Sequence, residues 1–160
     1  MGSPRILVFG YGNPSRGDDG LAPALLDLLD GNGCDCLTDF QLQVEHALDL
    51  KDRELVLFVD ASVSCPTPFQ LARLAPARDP SYTTHAVSPS AVLEVYRRLH
   101  GEQPPPCYLL SIRGDRFELG EGLSPAALVR LEQAQDLIAR LLAEPCAAAW
   151  DEVTGETAVA

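Results

Sequence analysis

Apolar residues along this chain gather in short unbroken runs, separated by longer stretches with helical spacing. Ile6-Leu7-Val8-Phe9 is one run, and Leu55 to Val59 is another, closed by the acid Asp60. A run that is apolar on both faces predicts a strand covered on both sides, as in a parallel sheet between helices. Cys107–Ile112 reads the same way. Cys36–Leu42 alternates and predicts a half-buried strand, and Phe69–Leu74 alternates as an antiparallel edge strand does. Helical spacing appears over Gly20–Leu29, briefly over Glu45–Leu50, and from Ser88-Pro89 to His100, where serine caps and proline takes the first helical position. A second serine–proline start, Ser124-Pro125, opens a helix to Leu142 with Leu128, Leu131, Ala134, Leu137, Ile138 and Leu141 on one face. Gly31-Asn32-Gly33 reads as a turn and Pro76–Thr84 as a loop.

This alternation of strand and helix predicts an α/β fold: a three-layer αβα sandwich with a twisted, mostly parallel sheet of about five strands. The 160 residues suit one domain, expected over residues 1–145. Beyond Pro145 the chain is alanine-rich, then acidic and weakly patterned. Residues 146–160 are therefore expected to form a mobile tail, with Trp150 as the one candidate for docking.

Charge narrows the partners. A formal net charge of −11 argues against nucleic acid and against an anionic membrane surface. No stretch reaches the roughly 18 apolar residues of a membrane span, and the N-terminus lacks a secretory pattern, so a cytoplasmic setting is expected. Five cysteines make an odd number without a framework spacing, and Cys34-Asp35-Cys36 is not the pair of a zinc ribbon or a thioredoxin site. Reduced thiols are expected.

The candidate chemistry lies in Gly10-Tyr11-Gly12-Asn13-Pro14-Ser15-Arg16-Gly17-Asp18-Asp19-Gly20, between the first strand and the first helix. A glycine-rich turn there usually cradles phosphate on free N–H groups at a helix N-terminus. Two aspartates in that place would repel pyrophosphate and suit a cation or a water. Ser15 also stands where a dinucleotide fingerprint needs its third glycine, and Asp39 is only a weak match for a ribose-binding acid. No Gly-x-Ser-x-Gly elbow supports a serine hydrolase. In open α/β sheets ligands bind beyond the carboxyl ends of the strands. That rule brings Asp19, Asp60 and His85 to one edge, an O, O, N set able to contact a borderline divalent metal. Asp18 reads either as a helix cap or as part of this site, whereas His46 and His100 read as helix-surface residues. Two alternatives stay open: a non-catalytic nucleotide or metabolite binder, and a self-contained zinc or nickel hydrolase.

These motifs resemble those of the [NiFe]-hydrogenase maturation endopeptidases. The likeness rests on Gly10-Tyr11-Gly12-Asn13 with Gly17-Asp18-Asp19-Gly20, on Phe58-Val59-Asp60-Ala61, on Thr84-His85 before a proline-started helix, and on Gly120-x-Gly122-Leu123-Ser124-Pro125. It covers roughly residues 5–142. Gln41-Leu42-Gln43-Val44-Glu45 looks most like the branch serving bidirectional, NAD-linked hydrogenases. The resemblance implies a nickel-dependent endopeptidase, of the kind classed as aspartic, that removes a C-terminal extension from the hydrogenase large-subunit precursor after nickel insertion. It implies Asp19, Asp60 and His85 as metal contacts and Asp19 and Asp60 as catalytic residues. The nickel is carried by the substrate rather than held tightly by the enzyme, and a monomer is expected. Some members place the histidine directly after the Ser-Pro pair, where this chain has Ser90.

Overall fold

A computed structural model describes residues 5–29, 33–78 and 87–158. Five strands, β1 (Ile6–Tyr11), β2 (Asp35–Asp39), β3 (Leu55–Ser62), β4 (Phe69–Arg73) and β5 (Cys107–Arg113), form one sheet in the order β2-β1-β3-β5-β4. Every pairing is parallel except β4 with β5. The expected edge strand is thus the antiparallel one. Helices α1 (Leu21–Leu29), α2 (Pro89–His100), α3 (Pro125–Ala143) and α4 (Ala147–Ala158) complete the chain, with 3-10 turns at Gly17–Gly20 and Val44–Leu50.

The period of two in each strand divides the core. Ile6, Val8, Leu55, Leu57, Val59, Tyr108 and Leu110 point to one face and pack with α1, α3 and α4. Leu7, Phe9, Val56, Phe58 and Cys107 point to the other and pack with α2 and the Val44–Leu50 turn. The three-layer αβα sandwich is therefore present, and its central strands β1 and β3 are covered on both sides. Each fully buried Leu, Val or Phe contributes roughly 1.5–3 kcal/mol.

Three expectations need correction. The segment beyond Pro145 is not a loose tail: α4 packs on β4, and Trp150 and Val153 are buried in the α1-side core. Trp150 Nε1 donates to the Leu141 carbonyl at 2.9 Å, and its ring meets Tyr108 edge-on at 5.2 Å. Trp150 and Val153 dock a helix whose remaining residues show almost no apolar face. On α3 the expected stripe holds from Leu131 through Ala134, Leu137, Ile138 and Leu141, but its first member, Leu128, is half-exposed and Ala127 is buried in its place. The β2 strand also stops at Asp39, because Leu42 turns into the α2-side core. The expected turn at Gly31-Asn32 and the loop over 79–84 lie outside the described residues.

Candidate active site

Strand order places β2 on one side of β1 and β3 on the other, so the chain reverses direction across the sheet at the β1/β3 boundary. Such a switch point leaves a crevice at the carboxyl ends of the two strands. The Gly10–Gly20 segment leaves β1 there, and Asp60 ends the apolar part of β3 there.

The turn is held by its own polar groups. The Asn13 amide donates to Asp19 Oδ2 at 2.7 Å, so one carboxylate oxygen fastens the start of the turn to its end. Gly12 is required: with φ of 154°, a Cβ there would lie 2.1 Å from the Asp19 carbonyl oxygen. Gly17 is required for the same reason, since a Cβ would lie 2.4 Å from the Arg116 carbonyl. The remaining amides are spent inside the protein: Gly12 on Asp39 O, Ser15 on Asn13 Oδ1, Arg16 on Asn13 O, Gly17 on Glu121 O, Asp18 on Arg116 O and Asp19 on Arg16 O. With Pro14 lacking an N–H, no backbone donor from Gly12 to Asp19 is left for a phosphate. The nucleotide-binding alternative loses its physical basis.

Asp18 and Asp19 have different jobs. Asp18 is fully buried and accepts four hydrogen bonds, from the amides of Asp115, Arg116 and Ser124 and the Ser124 hydroxyl, at 2.8–3.1 Å. Burial alone would raise this carboxyl, but the bonds from Ser124, Asp115 and Arg116 outweigh it and hold it below its usual value. Asp18 thus ties the turn to the loop leading into α3, whose cap Ser124 also accepts from Ala127 N at 3.2 Å. Asp19, next in the chain, is half-buried, with Oδ1 3.3 Å from where a Gly12 Cβ would lie and its charge acting on Asp60.

Asp60 is also half-buried. Burial, and then the Asp19 charge, push its carboxyl up to about 7, against weaker lowering by the Ala61 amide and the Tyr11 phenol. Tyr11 follows from register. Gly10 lies opposite Val59, so the next positions, Tyr11 and Asp60, neighbour each other on the same face. Burial and Asp60 raise the Tyr11 phenol well above its usual value. The structure therefore brings Asp19 and Asp60 together and adds Tyr11, whose only signal in the sequence was its parity with Leu7 and Phe9. His85, the third expected member, lies outside the described residues. Helix α2 ends six residues before β5 begins, and its twelve residues span about 18 Å, so Ser88 lies toward the carboxyl edge. Among the described residues no three His, Cys, Asp or Glu side chains form a metal-binding group.

The other two histidines are less exposed than expected. His46 Nδ1 accepts from the Gln43 amide at 2.8 Å, Nε2 pairs with Asp39 at 3.2 Å, and the ring packs edge-on against Phe9 at 4.5 Å. It is a fastener between β2 and the Val44–Leu50 turn. His100 packs against Tyr96 at 4.4 Å.

A carboxyl raised to about 7, as Asp60 is, can exchange a proton near neutral pH. The acidic pair can also offer oxygen ligands to a cation.

No family model matches the chain, and no curated protein matches it. Solved structures do. The hydrogenase maturating endopeptidase HybD from E. coli superposes with a TM-score of 0.66 at 23% identity, over 86% of this chain and 91% of that one. The [NiFe] hydrogenase maturation protease HycI from Thermococcus kodakarensis gives 0.66 at 22% identity, over 89% and 95%. An endopeptidase from Escherichia coli, solved in solution, gives 0.64 at 26% identity, over 86% and 91%. These likenesses extend over nearly the whole of both chains, and they lend nothing to the narrower resemblance to the NAD-linked branch. TM-scores of 0.64–0.66 over nearly the whole of both chains carry the conclusion: this chain has the fold of the hydrogenase maturation endopeptidases.

Proposed function

We propose that this chain is an endopeptidase that removes the C-terminal extension of a [NiFe]-hydrogenase large-subunit precursor after nickel has been inserted. The observation that carries the reading is the Asp19–Asp60 pair at the β1/β3 switch point, within the fold of neighbours named as hydrogenase maturation proteases. Phosphate binding is disfavoured by the spent amides, which leaves the carboxylates as the functional groups of the turn.

In this proposal nickel is part of the substrate. Asp19, Asp60 and His85 contact it, so docking depends on a loaded precursor and cleavage waits for the metal. Asp60, poised near neutrality, takes a proton from the attacking water, with Asp19 beside it. The proposal places the protein in the cytoplasm as a monomer. No helix among the described residues is long and apolar enough to cross a membrane.

The test is cleavage of a precursor large subunit, nickel-loaded and nickel-free, by wild type, Asp60→Asn and His85→Ala. Loss of a short C-terminal fragment from the loaded precursor only is expected, with each substitution lowering the rate by roughly 100-fold or more. Cleavage that ignores nickel, or that survives both substitutions, would overturn the assignment.

A further inference from the structure

Cys34 and Cys36 take no part in the proposed proteolytic site. They flank Asp35 at the start of β2, Cys34 in the bend before the strand and Cys36 within it. Their sulfurs lie 3.9 Å apart. Both side chains are half-buried against the α1-side core. Asp35 points the opposite way and pairs with Arg53. β2 is the outermost strand of the sheet, bonded to β1 alone among the described strands. The remaining thiols differ: Cys65 and Cys107 are buried and donate to the carbonyls of Ser111 and Pro105, and Cys146 is exposed.

Distance separates the two reactions open to paired thiols. A disulfide needs its sulfurs about 2.05 Å apart, well short of the observed separation. A tetrahedral ion bound at about 2.3 Å to each of two thiolates holds the sulfurs about 3.8 Å apart. The observed 3.9 Å fits the second arrangement without moving the backbone.

We infer that Cys34 and Cys36 form a bidentate site for a thiophilic divalent cation of the zinc and cadmium class, at the opposite end of β2 from the acid pair. On binding, two S–H bonds break, two sulfur–metal bonds form, and two protons pass to solvent. Water fills the remaining positions, so the site is open and exchangeable. The chain's net charge of −11 favours cation approach. Cys36 pairs with Val8 in the sheet register, three positions short of Tyr11, so the metal sits about 10 Å along the strand from the carboxyl edge.

Cadmium titration of the full chain tests this through the ultraviolet thiolate-to-cadmium charge-transfer band. Wild type is expected to take up one equivalent. Cys34→Ser and Cys36→Ser should each weaken binding at least about tenfold, about 1.4 kcal/mol, and Cys146→Ser should leave it unchanged. Cys34→Ala and Cys36→Ala, with circular dichroism, separate loss of ligand from loss of fold. A band that persists in the folded double variant, that follows Cys146 instead, or that is absent from wild type would overturn the inference.

Discussion

Adjacent aspartates with identical side chains do opposite work here, because the backbone buries one fully and sets the other, half-buried, beside Asp60. Asp18 has four donors and behaves as a structural bolt. Asp18→Ala strands those donors in a buried place, and a loss of about 3–5 kcal/mol is expected in denaturant unfolding. Because its folded carboxyl is held low, its contribution is present above the unfolded value near 3.8 and is lost as pH falls through the folded value. Asp60 works with the opposite sign. Its folded carboxyl is raised to about 7, so the folded state binds the proton more tightly than the unfolded chain does. Stability is then greatest below about pH 4 for this group and declines as pH rises to about 7. Asp60→Asn should remove that decline and stabilise the protein at pH 8 by about 1–3 kcal/mol, a figure discounted for partial exposure. Thermal melts of both proteins across pH check it. A stabilised Asp60→Asn enzyme that no longer cleaves would also show that lost activity is not lost fold.

Among the elements, α4 departs furthest from its sequence pattern. Its anchoring is concentrated in Trp150, in Val153 and in Thr157, whose hydroxyl meets both the amide and the carbonyl of Leu71 at 3.0 Å on the outer edge of β4. An open strand edge is a template for pairing with other chains. Truncation after Pro145 should therefore uncover the α1-side core and the β4 edge together, with a lowered melting temperature and aggregation visible by light scattering. Thr157→Val is the milder test, costing about 1 kcal/mol. Periodicity missed this helix because docking by Trp150, Val153 and one hydroxyl leaves no long repeating signal, whereas α1 and α2 carry their buried faces at regular spacing.

For the molecule as a whole, the single tryptophan lies at the junction of α4, α3 and β5, so its fluorescence reports whether the last helix shares the fate of the sheet. Fluorescence and far-ultraviolet dichroism should give coincident unfolding transitions. An earlier fluorescence transition would mean that α4 detaches first and is not part of the cooperative unit.

By itself the sequence determined what repeats or clusters locally: the buried runs of β1, β3 and β5, the serine–proline helix starts, the antiparallel edge strand, and a turn carrying carboxylates in place of phosphate donors. These are dictated by backbone geometry and by the side chains within a few residues of one another. Only the tertiary structure decided what depends on partners far along the chain. Asp18 became structural because Ser124, 106 residues later, donates to it. Asp60 acquired a raised carboxyl because packing buried it and set the Asp19 charge beside it, and α4 joined the core because Tyr108 and Leu141 were there to receive Trp150. Burial and charge proximity are properties of the packed chain, and a linear pattern does not contain them.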